Sequence, residues 1–124
     1  PAIASSGYNI YAHHSGLLYT YNCRNNRWHE SPKTLEIKTQ NSNLLSYNGS
    51  LYVVGGKCYD HTNCESDGQH FQHYDLWEGK SSLLSNMKYP HISPGSCIHN
   101  DILYVTGGRY NYVFIQRLYG MLRF

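Results

Sequence analysis

The chain has 124 residues, of which 15% are charged and 15% aromatic, and its formal net charge is +2 with neutral histidines. That length suits one domain of ordinary size, and so weak and scattered a positive charge excludes the basic surface that a nucleic-acid partner needs. No apolar run approaches the roughly 18 residues of a membrane span, so no membrane partner is expected. Few charges with many tyrosines and glycines favour β-structure, because aromatic rings pack well on a pleated surface.

Three hairpins are predicted along the chain. In order, their paired segments and turns are 2–6 and 10–13 around 7–9, 43–47 and 51–54 around Asn48-Gly49, and 96–99 and 103–106 around Asn100-Asp101. Asn-Gly is the dipeptide that most strongly favours a tight two-residue turn. Each hairpin is followed by a predicted tyrosine-bearing third strand. No stretch shows the 3.6-residue period of a helix, so the sequence predicts an all-β fold.

The hairpins are copies of one repeat. Tyr11, Tyr52 and Tyr104 hold the same place in the second strand and lie 41 and 52 residues apart. The distance from the third-strand tyrosine to the second-strand tyrosine of the next copy is nearly constant. It is 31 residues from Tyr21 to Tyr52 and 30 from Tyr74 to Tyr104. From second to third strand, however, the tyrosines lie 10 residues apart in the first copy and 22 in the second. The extra length of the second copy is therefore an insertion between its second and third strands.

Other residues lie at characteristic distances from these tyrosines, some of them in two copies and some in one. They are Gly55-Gly56 and Gly107-Gly108 after the second strand, Tyr21-Asn22 and Tyr74-Asp75 in the third, Trp28 seven residues after Tyr21, and Met87 thirteen after Tyr74. The pattern resembles the kelch repeat, the four-stranded blade unit of a β-propeller. The first copy departs from it with His14-Ser15 at the Gly-Gly position, and the second with Ser81 at the Trp position.

The resemblance implies a partial kelch β-propeller, with two four-stranded antiparallel blades and the first three strands of another. The corresponding segments are 1–38, 39–90 and the incomplete 91–124. Propellers close with 4–8 blades, so a piece this short is expected to expose sheet edges and to self-associate.

The resemblance also implies a function. Kelch propellers are commonly non-enzymatic protein-interaction modules without a cofactor. Many lie behind a BTB domain and recognise substrates for cullin–RING ubiquitin ligases, and such a BTB domain would lie outside this chain. A protein partner and a cytoplasmic location are therefore expected. In such propellers, the connections after the Gly-Gly strand and between blades form a face that binds partners.

By that resemblance, seven residues are candidate contacts. They are Lys57, Tyr59, Asp60, His91, Arg109, Tyr110 and Tyr112. Arg109 with Tyr110 is preferred, because arginine and tyrosine are enriched at binding hot spots. The alternative is an ordinary exposed arginine.

The insertion carries a second hypothesis. Cys58, His61, Cys64 and His70 are candidate metal ligands, although their spacing fits the usual zinc patterns poorly. A Cys58–Cys64 disulfide requires an oxidising compartment, whereas four sparse cysteines favour a reduced one. We expect a solvated surface loop, whose deletion over residues 58–69 would spare the fold. No H-E-x-x-H or G-x-S-x-G motif indicates catalysis. The alternative functions are a propeller enzyme or metal-binding protein, or a fragment that only self-associates.

Overall fold

A computed structural model of the chain describes residues 2–59, 67–108 and 113–118. These residues form fourteen β-strands, arranged as three antiparallel sheets of three to five strands and one separate two-stranded pair. The prediction of an all-β fold is confirmed. Within the same three ranges, no helix has the length and apolar character that crossing a membrane requires.

Sheet 1 is built from the N-terminal strands. They are β1 (Ala2–Ser6), β2 (Asn9–His14), β3 (Leu17–Asn22), β4 (Arg27–Trp28) and β5 (Lys33–Thr34). The first four lie in the order β1-β2-β3-β4, and β5 pairs with the other half of the β3 edge.

Sheets 2 and 3 repeat this antiparallel order. Sheet 2 contains β7 (Asn43–Tyr47), β8 (Ser50–Val54), β10 (Phe71–Asp75) and β11 (Lys80–Leu83), and sheet 3 contains β12 (Gly95–His99), β13 (Ile102–Thr106) and β14 (Val113–Arg117). A short pair, β6 (Thr39–Gln40) with β9 (Lys57–Cys58), lies apart from them. The first strands of the three sheets are neighbours, since β7 contacts both β1 and β12.

The tight turns show why these hairpins form. Asn48 and Gly49 both have positive φ, and so do Asn100 and Asp101, as the type I′ turn that suits a twisted hairpin requires. In sheet 1 a similar turn at Ser15 and Gly16 joins β2 to β3. The sequence comparison placed the equivalent of Gly-Gly at His14-Ser15. The structure places it one residue later, at Ser15-Gly16, because His14 still pairs as the last residue of β2.

The third strand of sheets 1 and 2 ends in the same local device. The Asn22 side chain accepts a hydrogen bond from the backbone N–H of Arg24, and that of Asp75 from the N–H of Trp77, each at 2.8 Å. Asn and Asp both favour turns by bonding the backbone two residues on. The Tyr-Asn and Tyr-Asp pairs are thus physically equivalent.

Two apolar layers hold the three sheets together. Between sheets 1 and 2 the buried residues are Tyr11, Leu18, Leu35, Leu44, Leu51, Val53 and Tyr74. Between sheets 2 and 3 they are Tyr52, Val54, Phe71, Met87, Leu103, Val105 and Leu118. Successive β8 residues supply opposite layers, as strand alternation requires, and all five are buried. Sheet 2 is therefore the central sheet.

A side chain also fixes the connection between sheets 1 and 2. Gln72 is buried in β10, where its Oε1 accepts from the backbone N–H of Ile37 at 3.0 Å and its Nε2 donates to the Ile37 carbonyl at 3.1 Å. This pair satisfies both backbone groups of one connecting residue, which would otherwise lie unpaired against the sheet.

Candidate functional site

The site is built at one end of the sheets, where the second strands run into Ser15-Gly16, Gly55-Gly56 and Gly107-Gly108. We call it the Gly-Gly end. All four residues of the two Gly-Gly pairs have positive φ, a conformation that costs other residues energy. A Cβ atom added to Gly55 would overlap the His91 carbonyl oxygen, and one added to Gly108 would overlap that of Ile92. The connection between sheets 2 and 3 therefore packs directly against both corners.

His91 joins the two corners. Its backbone N–H donates to the Gly68 carbonyl at 2.7 Å, and its own carbonyl accepts from the N–H of Gly56 at 2.8 Å. Its Nδ1 lies 3.2 Å from the Gly107 carbonyl oxygen. Because a carbonyl only accepts, Nδ1 carries the proton of this hydrogen bond. The side chain is completely buried, so the expectation that His91 contacts a partner is corrected: it holds the Gly-Gly end together.

A small polar cavity opens at the same end, between sheets 1 and 2. It has a volume of about 140 Å³ and is lined by His13, His14, Ser15, Gln40, Asn41, Ser42 and Tyr59. A wider depression of about 480 Å³ shares Asn41 and Ser42 and extends to Ala2, Ile3, Asn43, Ser93 and Pro94. Apart from the two histidines, neither lining contains a side chain that can be charged at neutral pH. The surface suits neutral hydrogen-bonding groups, such as those of a peptide backbone.

Hydrogen bonds order the floor of this cavity. The hydroxyls of Thr39 and Ser42 lie 2.7 Å apart, and the Ser42 hydroxyl donates to the Gly55 carbonyl at 2.9 Å. Asn41 has a positive φ, and its carbonyl accepts from the N–H of Ser93 at 2.7 Å. Residues 40–42 were not among the residues predicted from the sequence. Their signal was the polar run Gln40-Asn41-Ser42 immediately before β7.

His13 lies in the wall of the cavity but is itself buried. Its Nε2 has no hydrogen-bond partner among the described residues. Burial lowers the pKa of the His13 imidazole to about 4, and the charge of His14 acts in the same direction. At neutral pH the side chain is therefore uncharged, and it acts as a packed residue of β2.

The candidate contact residues fall into four groups. Tyr59 lines the cavity and is 42% exposed, whereas Lys57 is half-buried in β9, paired with Gln40. His91 is buried, as described above. Asp60, Arg109, Tyr110 and Tyr112 lie outside the described residues, so the preferred pair Arg109 and Tyr110 stays a prediction. The structure thus places Tyr59 beside polar groups that the sequence had not indicated.

The candidate metal ligands are not assembled in the part of the chain that the structure describes. No three His, Cys, Asp or Glu side chains there are placed to hold an ion, and His61 and Cys64 lie outside it. Cys58 is buried and disulfide-bonded, which removes the thiolate that a metal binds. Cys23 and Cys97 are free. His70 is also buried, and burial lowers its pKa while the charge of Asp67 acts in the opposite direction.

The ends of the insertion are part of the fold, contrary to expectation. The Asp67 carboxylate accepts from the backbone N–H of Cys58 at 2.8 Å, and the N–H of Gly68 donates to the Gly56 carbonyl at 3.1 Å. The Gln69 side chain donates to the carbonyls of Met87 and Lys88, each at 3.0 Å. Deleting residues 58–69 would break these bonds and the β6–β9 pair. We therefore expect this deletion to destabilise the fold, in contrast to the prediction from the sequence.

Comparison with known proteins bears on the fold alone. No family model matches the chain, and no curated protein matches it. Among solved structures, the structure of YjhT matches 86% of this chain with a TM-score of 0.73 and 18% sequence identity. The match spans only 33% of the YjhT chain. The three-sheet arrangement is therefore similar to about one third of a larger known fold.

Proposed function

We propose that the chain is part of a kelch-type β-propeller and serves as a non-enzymatic protein-interaction module, with its partner bound at the Gly-Gly end. One observation carries the proposal. Three sheets of one design bring their connecting segments to the same end, where an exposed Tyr59 stands beside a neutral polar cavity. Tyrosine supplies a large contact area together with a hydroxyl, which suits a protein partner.

Binding assays with single variants test this proposal. The purified chain is used as bait, partners are identified by cross-linking and mass spectrometry, and Tyr59→Ala is compared with Trp77→Ala. Trp77 is exposed in the β10–β11 turn, at the opposite end of sheet 2, and is the matched control. Tyr59→Ala should reduce recovery of the specific partner about tenfold, the loss expected for a contact of about 1.4 kcal/mol. Loss with Trp77→Ala but not with Tyr59→Ala, or no specific partner at all, would overturn the proposal.

The further assignment to a cullin–RING ubiquitin ligase, through a BTB domain outside this chain, rests on the kelch resemblance. The Cys58 disulfide is an observation against it, because disulfides persist in oxidising compartments and are rare in the cytosol, where these ligases act. We therefore favour an oxidising compartment over the expected cytoplasmic location. Counting thiols in the chain as isolated from its native cells discriminates the two: two free thiols indicate an oxidising compartment, and four support the ligase assignment.

The metal-protein alternative is not favoured by an observation of this structure, since the Cys58 sulfur is engaged in a disulfide. Metal analysis of the oxidised and reduced protein tests it directly. Stoichiometric zinc or copper in the oxidised protein would revive that alternative.

A further inference from the structure

The two interfaces between sheets share one design. On one side of each sheet lie the repeated tyrosine and the third-strand residue that pairs two positions after that tyrosine, as Leu18 pairs with His13, Phe71 with Val54 and Val113 with Thr106. We call this the tyrosine face, and its residues are Tyr11 and Leu18 in sheet 1, Tyr52 and Phe71 in sheet 2, and Tyr104 and Val113 in sheet 3. On the other side, the second strand presents the aliphatic face: Ile10 and Ala12, Leu51 and Val53, and Leu103 and Val105.

Each interface joins a tyrosine face to an aliphatic face. Tyr11 and Leu18 of sheet 1 pack in one layer with Leu51 and Val53 of sheet 2. In the same way, Tyr52 and Phe71 of sheet 2 pack in one layer with Leu103 and Val105 of sheet 3. The rule therefore holds at both junctions along the chain, and each junction uses equivalent positions.

One face of each kind is left over at the ends of the stack. On the tyrosine face of sheet 3, Val113 is 61% exposed, whereas its equivalent in sheet 2, Phe71, is 1% exposed. On the aliphatic side of sheet 1, Ile3 pairs with Ala12 as Leu44 pairs with Val53. Ile3 is 69% exposed, whereas Leu44 is 2% exposed. Both are apolar residues whose equivalents in sheet 2 are buried.

We propose that these two surfaces bind each other in different copies of the chain, so that the tyrosine face of sheet 3 in one copy packs on the aliphatic face of sheet 1 in the next. A second copy of the chain is the expected partner of each surface. Both internal junctions join a tyrosine face to an aliphatic face, and each uncovered surface is one of these two kinds of face. A contact between two different surfaces is heterologous, and it gives a closed ring when the rotation between successive copies closes. Two copies would supply six sheets, which falls within the 4–8 blades of closed propellers.

This association uses the sheet faces that carry Val113 and Ile3, and not Tyr59, although Ile3 also lines the wider depression. Tyr59→Ala, which tests the proposed partner site, should therefore leave self-association unchanged. Val113 and Ile3 are exposed in the single chain, so a lysine at either position costs the isolated fold little. In the assembly, the same lysine would be buried opposite apolar side chains, which is strongly unfavourable. The two substitutions therefore separate association from folding.

The experiment measures molar mass by analytical ultracentrifugation over a concentration series. The wild-type chain should self-associate, while Val113→Lys and Ile3→Lys should each raise the dissociation constant at least about tenfold, a change of about 1.4 kcal/mol. Trp77→Lys, at a 94% exposed apolar residue away from both faces, is the control and should associate like the wild type. Circular dichroism checks that each variant is folded.

Mixing the two variants gives the sharpest outcome. Val113→Lys retains the aliphatic face of sheet 1, and Ile3→Lys retains the tyrosine face of sheet 3. An equimolar mixture should therefore form a heterodimer through the one junction without a lysine, and should associate more tightly than either variant alone. A wild-type chain that is monomeric throughout the series would overturn the proposal. So would association that survives both substitutions, or that Val113→Lys abolishes and Ile3→Lys leaves unchanged, because the latter indicates symmetric pairing of one face.

Discussion

Glycine is needed at the Gly-Gly corners for two separable physical reasons. Gly107 and Gly108 both have left-handed φ values, of 69° and 88°. A Cβ at Gly107 would meet nothing within 4 Å, whereas one at Gly108 would overlap the Ile92 carbonyl. Neighbouring positions therefore separate the cost of the backbone conformation from the cost of close packing.

Alanine substitutions at these two positions should differ in stability. Gly107→Ala should lower the free energy of unfolding by about 1–2 kcal/mol, the cost of holding alanine in the left-handed conformation. Gly108→Ala has the same conformational cost and must also displace the backbone at Ile92. We therefore expect it to lower the free energy of unfolding by about 3 kcal/mol or more. Urea unfolding of both variants measures the difference. Equal losses would show that close approach of the connection contributes nothing to this corner.

His13 should make stability depend on pH. Burial lowers its pKa in the folded chain to about 4, from 6.5 in the unfolded chain. Between those values the unfolded state binds more protons, so the contribution of neutral His13 is complete above about pH 6.5 and is lost as the pH falls to about 4. The full change is about 3 kcal/mol, from about 1.4 kcal/mol for each unit of pKa shift.

Unfolding free energies at pH 7.5 and pH 4.5 test this dependence. His13→Gln should reduce the difference between the two pH values by about 2–3 kcal/mol. The control is His99→Gln, since His99 is exposed in β12. If His13→Gln retained the full wild-type difference, the acid sensitivity would belong to other groups.

At the scale of the strands and connections, Gln72 replaces a missing strand partner. Its amide bonds both the N–H and the carbonyl of Ile37, as a neighbouring strand would. A carboxylate can accept from the Ile37 N–H but cannot donate to its carbonyl. The Gln72→Glu substitution therefore keeps the size of the side chain and removes one donor, while burying a charge.

We expect Gln72→Glu to lower the free energy of unfolding by about 2–4 kcal/mol at neutral pH. The matched control is Gln116→Glu, because Gln116 is half-buried in the last described strand and, among the described residues, donates to the adjacent Arg117 carbonyl alone. Chemical denaturation at pH 7 compares the two variants. Equal, small effects would mean that the two hydrogen bonds between Gln72 and Ile37 are not important for stability.

The strands themselves were predictable because local chemistry fixes them. Asn48-Gly49 specifies a type I′ hairpin, and the repeated tyrosines set the register of the three sheets. The site was less predictable, since it depends on distant approaches such as Gly55 with His91. A histidine in a connecting loop gives no sequence signal that it will bridge two corners, one of which, at Gly107, lies 16 residues further along the chain. The ends of the insertion were mispredicted for the same reason, because the bonds of Gly68 and Gln69 are nonlocal.

For the molecule as a whole, the three sheets differ in how much of each is covered. Sheet 2 packs against apolar layers on both faces, and all five residues of β8 are buried. Sheets 1 and 3 each have one face in such a layer, and their outward sides carry exposed residues such as Ile3 and Val113. Local opening costs least where few apolar contacts must be broken. The stack is therefore expected to open from its two ends.

Amide hydrogen exchange followed by mass spectrometry should show this gradient. At concentrations where the chain is monomeric, peptides covering β8 and β10 should exchange slowest, and those covering β2 and β13 should exchange at least about tenfold faster, corresponding to an opening free energy lower by about 1.4 kcal/mol. The comparison is internal, because β2, β8, β10 and β13 are all paired on both edges. The four strands are thus matched in backbone hydrogen bonding, and they differ in whether apolar layers cover one face of their sheet or both. Uniform exchange across the four strands would mean that the three sheets open as one cooperative unit, whatever their packing.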